Sequence, residues 1–173
     1  VPFDHVNLYY RQGSSGDWLK YGGDFTSDTI PFTATSDGRY EFFTQGFDAN
    51  GGSEAIAYSA DAATMVDTTA PVTSISVTGT SVGTDAYSGS ASFTLTAADG
   101  GSGVNSTYYR VDASSWIRYG GSPVTISNGG THLIQYYSDD IAGNAEQVKS
   151  KSISVETTNP VVTFLEPSKT YTT

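Results

Sequence analysis

Hydrophobic and polar residues alternate along much of this chain with a period of two. Ala91, Phe93, Leu95 and Ala97 are separated by Ser92, Thr94 and Thr96, the pattern of an antiparallel strand with one buried and one wet face. Ile75 and Val77 follow Pro71 in the same way, and Tyr109 and Val111 follow Ser106. Gly- and Asn-rich clusters at 99–103, 120–121 and 128–130 punctuate these runs every ~8–15 residues. The pattern predicts strands near 72–78, 91–98, 107–112, 123–127, 131–138 and 147–155. The last breaks parity, because Ile153 and Val155 are in phase and Val148 is not, and this predicts a bulge or a shifted start. No segment carries convincing helical periodicity.

The pattern is written twice. "LYYRQGSSGDWLKYGG" from Leu8 returns as "TYYRVDASSWIRYGG" from Thr107. With Gly38 set on Gly130, Asp48 meets Asp140, Gly51 meets Gly143 and Glu54 meets Glu146, and "DTTAPV" (67–72) returns as "ETTNPV" (156–161). The offset between matched positions shrinks along the chain, as short loop deletions between fixed strands produce. A period of ~90–100 residues is too long for a solenoid unit and suits an immunoglobulin-sized sandwich. The expected fold is therefore all-β, with tandem Ig-like or fibronectin III-like antiparallel β-sandwiches. Residues 1–66 read as a repeat lacking its first strands, 67–156 as a complete repeat, and 157–173 as the start of a third. The chain thus reads as a segment of a longer protein. A sandwich short of two strands invites strand addition, and 161–173 is the candidate donor for a strand-exchange oligomer.

These strings resemble a known group. "YYRVDASSWIRYGGSPVTISNGGTHLIQYYSDDIAGNAE", preceded by Asp99-Gly-Gly-Ser-Gly-Val104, is similar to the Ig-like extracellular repeats of bacterial and archaeal surface proteins, including the outer-membrane-lipoprotein type. The first copy resembles a sister form of archaeal secreted proteins. Two departures are Gly51-Gly52, where that pattern has Gly-Asn, and Gly121-Ser122-Pro123 in place of a direct Gly-Pro. The resemblance implies a non-catalytic spacer, adhesion stalk or binding module outside the cell, with neighbouring repeats and a glycan or cell-surface molecule as partners. The alternative it leaves open is a carbohydrate-binding accessory module of a secreted hydrolase.

Composition narrows this picture. Charged residues make up 15%, Tyr supplies 12 positions, and there is no Cys, so no disulfide or thiolate–metal framework is available. Few charges among many hydroxyls suit an extracellular protein. A net charge of −10 argues against nucleic acid as partner, since phosphate binding depends on clustered Lys and Arg. No apolar run approaches the ~18–20 residues of a membrane span, so membrane insertion is not expected.

Candidate chemistry is sparse. Gly79-Thr80-Ser81-Val82-Gly83 matches a nucleophile pattern that requires a strand, a sharp turn and a helix, and here it lies in a Thr/Ser/Gly stretch. His5 and His132 have no zinc spacing, and no acidic pair stands out for glycosidase work, so an enzyme is not expected. No cofactor is required, and calcium is the one candidate. Asp139, Asp140 and Glu146 surround a Gly-Asn turn, and Asp67 stands at the junction of the repeats. Clustered carboxylates bind hard cations, while the competing reading is that Asp140 and Asn144 hydrogen-bond the turn itself. Trp18 and Trp116 are candidate sugar platforms, although their repetition favours packing. Asn105-Ser106-Thr107 is a glycosylation sequon at Asn105.

Overall fold

The computed structural model describes residues 1–158, and the strand expected over 161–173 lies outside them. Among the described residues the chain forms no helix, and none that could cross a membrane. Its strands are β1 (Phe3–Gln12), β2 (Leu19–Phe25), β3 (Gly38–Asp48), β4 (Ala62–Val66), β5 (Val72–Gly83), β6 (Ala86–Ala98), β7 (Val104–Val111), β8 (Ile117–Arg118), β9 (Val124–Ile126), β10 (Gly130–Asp140) and β11 (Lys149–Glu156). The fold is all-β. Two compact units emerge: Val1–Thr73 with Thr96–Tyr108 and Tyr137–Gln147, and Ser74–Leu95 with Tyr109–Tyr136 and the described residues from Val148.

In the first unit, β2-β1-β3-β4 form an antiparallel sheet. Aromatic residues line both of its faces. Tyr9 stacks on its cross-strand partner Phe43 with centroids 4.7 Å apart, and Trp18 meets Phe43 edge-on. On the opposite face the 1%-exposed Tyr40 packs with Tyr10 and with Phe32, which arrives from the coil after β2. The Tyr40 hydroxyl donates to the Ser36 carbonyl at 3.0 Å, so the buried phenol is satisfied. Glu41 is buried between two guanidinium groups: Arg11 Nη2 reaches one of its oxygens at 2.7 Å and Arg39 Nη2 the other at 2.6 Å. Arg39 and then Arg11 hold its pKa below the ordinary carboxylate value. A buried carboxylate is tolerable here because both oxygens are paired.

The second sheet runs β5-β6-β11-β10-β7-β8, with β9 on the side of β6. A short parallel pairing, Ser154↔Ala86 to Glu156↔Ser88, joins β11 to β6. The core of the second unit collects Ala91, Phe93 and Leu95 from β6, Ile126 from β9, Ile134 and Tyr136 from β10, and Ile153 and Val155 from β11. Ile75, Val77, Tyr109 and Val111 pack against it from β5 and β7. These are the inward positions of the alternation, closed as a sandwich around one apolar layer. The broken parity near 148 resolves as a shifted start: β11 begins at Lys149 and leaves Val148 exposed.

The duplication is visible in the turns. Asp48 N donates to the Gly52 carbonyl at 2.9 Å, Gly51 N to the Asp48 carbonyl at 3.0 Å, and Glu54 N to the Gly46 carbonyl at 2.9 Å. The second copy repeats these bonds from Asp140 to Asn144, Gly143 to Asp140, and Glu146 to Ser138. Gly51 and Gly143 both take positive φ, 85° and 96°, where a side chain would be strained.

A charged pair closes β7 against β10. His132 Nδ1 lies 2.9 Å from Asp112 Oδ2, its Nε2 lies 2.9 Å from the Asn128 carbonyl, and Leu133 N donates to Asp112 Oδ1. With acceptors at both ring nitrogens, the imidazolium is favoured, and Asp112 foremost raises the His132 pKa above 6.5. His132 in turn lowers that of Asp112 below 3.8. The stabilisation is therefore present between those ordinary values. It is lost as pH rises through the raised His132 pKa and as pH falls through the lowered Asp112 pKa. NMR titration of the His132 ring is expected to give a midpoint above 6.5 that drops in Asp112→Asn. A midpoint unchanged by that substitution contradicts the pairing.

Candidate metal centre

Three acidic residues meet in the first unit, each at the end of a strand. Asp67 follows β4, Asp99 follows β6 and Asp140 closes β10. One carboxylate oxygen of each lies within 4.8 Å of the others. Asp67 and Asp140 are buried, at 8% and 2% exposure. None of the three forms an ion pair with a Lys, Arg or His among the described residues.

The backbone around them fixes each carboxylate. Asp67 Oδ1 accepts from Thr69 N and Oγ1 at 3.1 and 2.9 Å, and Oδ2 accepts from Ser102 N at 2.7 Å. Ser102 first, and then Thr69, hold Asp67 far below the usual carboxylate range, so it is ionised at any ordinary pH. The loop approaches so closely that a Cβ on Gly101 would stand 2.4 Å from Asp67 Cγ, and only glycine fits there. Asp140 Oδ1 and Oδ2 accept from Asn144 N and Nδ2, both at 2.7 Å. The same Asn144 amide donates to the Asp67 carbonyl at 3.0 Å and ties the turn to the linker.

Asp99 differs from the other two. Its Oδ2 accepts from Gly101 N at 3.0 Å and Gly103 N at 2.7 Å, while Oδ1 is buried without a hydrogen-bond partner. Sequence reasoning missed this residue as a candidate ligand. The signal was present in Asp99-Gly-Gly-Ser-Gly-Val104, an acid directly after a strong alternating strand.

Of the residues read from sequence as metal ligands, the fold brings Asp67 and Asp140 together and leaves Asp139 and Glu146 outside. Asp139 Oδ1 accepts from Asn105 Nδ2 at 3.3 Å. Glu146 closes the turn: Oε1 accepts from Ser138 N at 2.9 Å and Oε2 from Thr73 N at 3.1 Å. Asn105 is exposed on β7, with its amide nitrogen turned toward Asp139. Trp18 and Trp116 are half-buried, and each carries a guanidinium over its ring, Arg11 at 4.4 Å and Arg110 at 4.8 Å. One indole face is thus occupied in each copy, within the repeated Tyr-Tyr-Arg context. The Gly-x-Ser-x-Gly stretch lies within β5 and meets no helix, so Ser81 lacks the turn that would present a nucleophile.

No family model matches the chain, and no curated protein matches it. Among solved structures, the chain is similar to the fibronectin(III)-like modules of CbhA from Clostridium thermocellum, at 18% identity and a TM-score of 0.41, over 90% of this chain and 80% of that one.

Proposed function

We propose that the chain is a non-catalytic spacer of a larger extracellular or cell-surface protein, of the kind that forms adhesion stalks. The observation that carries this reading is the segment Asp67–Thr73, which joins the two sequence repeats and is held almost residue by residue. Thr68 N and Oγ1 donate to the Asp37 carboxylate at 3.0 and 2.9 Å. Asp67 is held as described, Pro71 is fully buried, and the Thr73 hydroxyl meets Ser138 Oγ at 2.6 Å. Proline fixes φ at two-sided joints of this sort, and buried hydrogen bonds resist bending. A joint so restrained suits a module that holds distal domains at a set distance. Low charge with abundant hydroxyls fits the extracellular setting.

Backbone ¹⁵N relaxation tests the proposal. Amides of 1–66 and those of 96–108 and 137–147, the second-repeat segments of the first unit, are expected to report the same rotational correlation time, and Pro71→Gly combined with Asp37→Ala is expected to separate them. Two shorter, independent correlation times in the unaltered chain would overturn the reading, since a free hinge makes a poor spacer.

A further inference from the structure

We infer that Asp67, Asp99 and Asp140 form a binding site for a single hard divalent cation, with calcium the fitting ion. The inference stands apart from the spacer reading, because a cation can bind whether or not the chain serves as a stalk. Three buried or half-buried carboxylates within 4.8 Å, with no cationic side chain paired to them among the described residues, repel one another. The spacing suits a shared ion. Calcium–oxygen distances of ~2.3–2.6 Å place ligands on opposite sides of one ion at up to about 5 Å.

The second observation is the orphaned oxygen. Every other carboxylate oxygen in the cluster accepts a hydrogen bond, whereas Asp99 Oδ1 is sealed from solvent with no donor. A buried acceptor without a partner is costly, and a cation at this point would satisfy it and offset the local charge. The donor set is all oxygen, without imidazole or thiolate, which selects calcium or magnesium over zinc and copper. Magnesium demands near-ideal octahedral geometry and gives up water reluctantly, so a set of carboxylates fixed by turn hydrogen bonds favours calcium. A cleft of ≈ 250 Å³, lined by Asp67, Thr69, Gly100 and Gly101 among others, opens on the Asp67 side of the cluster. The first repeat offers no second site. Its Asp48 turn copies the Asp140 turn, but no acids equivalent to Asp67 and Asp99 stand beside it among the described residues.

Isothermal titration of the full chain with calcium chloride, after chelator treatment, is expected to show one site, and calorimetric unfolding a calcium-dependent rise in Tm. At about a hundred times Kd the rise is roughly 5–10 °C for a chain of this size. Asp139→Asn is expected to keep both signals. Asp99→Asn is expected to abolish them and to melt, in chelator, at or above the temperature of the unaltered chain, because one repelling carboxylate is gone. Asp67→Asn supplies a second test should Asp99→Asn fail to fold, and it too is expected to lose the calcium response. A Tm that calcium leaves unmoved, absence of binding heat at millimolar calcium, or an undiminished response in Asp99→Asn overturns the inference.

Discussion

Phe93→Ala is expected to destabilise the chain by about 3–5 kcal/mol, the largest loss among single truncations of its core. Phe93 is 1% exposed and meets Tyr109 edge-on with centroids 5.4 Å apart. It stands in the apolar layer with Ile126, Ile134 and Ile153, which come from three other strands. Those strands are held by backbone ladders and do not collapse into the space left by a lost ring, so the cavity cost adds to the lost transfer energy. Leu133→Ala provides the contrast. Leu133 neighbours the fully buried Ile134 on β10 but points outward, with 39% exposure. Its truncation is expected to cost under about 1 kcal/mol. Urea unfolding followed by fluorescence separates the two, with a large fall in midpoint at unchanged slope for Phe93→Ala alone. Equal losses at the two positions would mean that the alternation does not define the core.

That core was legible because it rests on a period of two over residues of β propensity. The inward set of β6 from Ala91 onward and the Ile153/Val155 pair of β11 occupy the face the pattern assigned them. What the pattern missed lacks such contrast. The first half of β6, Ala86 to Ser90, has Tyr87 as its one large apolar residue and contains Gly89 at φ 78°, so it shows no alternation although it pairs with β11. β8 spans only two residues, Ile117 and Arg118, too few to show any period. The internal repeat was equally readable, and the turns at Asp48 and Asp140 show why. Both copies spend the same Asp, Gly and Glu on the same backbone bonds, so the residue types recur at matched places.

The acid cluster was half legible for a topological reason. Asp67 and Asp140 drew attention as acids at a junction and a turn. Nothing along the chain says that the loop after β6 returns to the same spot, because three strand ends are brought together only by folding. Asp139 and Glu146 illustrate the converse. Sequence proximity to Asp140 made them candidates, yet a strand sends adjacent side chains to opposite faces, and Asp139 points away toward Asn105. The guanidinium groups over both tryptophans were hidden for a similar reason. Arg11 and Trp18 are separated along the chain by a turn, and cross-strand placement alone puts one over the other.

Glu146→Ala is expected to cost about 2–4 kcal/mol, the second large effect, even though its side chain lies outside the acid cluster. The carboxylate receives Ser138 N on one oxygen and Thr73 N on the other. Both donors belong to buried residues, with Ser138 0% and Thr73 3% exposed, so neither amide finds water when the acceptor is removed. The loss spreads further, because the Ser138 hydroxyl lies 2.6 Å from Thr73 Oγ1 and 2.8 Å from Thr107 Oγ1. Those hydroxyls link β5, β7 and β10 beside the linker, and a shifted Ser138 disturbs all three. Glu146→Gln separates geometry from simple truncation. Its amide oxygen can accept from one backbone N–H, but its NH₂ faces the other as a second donor, so roughly half the loss is expected. Thermal unfolding in chelator orders the two variants, with alanine the lower. A glutamine variant as stable as the unaltered chain would mean that one of these amides has another acceptor. A calcium response lost along with Glu146 in a folded glutamine variant would place this carboxylate in the coordination shell, beyond its role as the clasp of the turn.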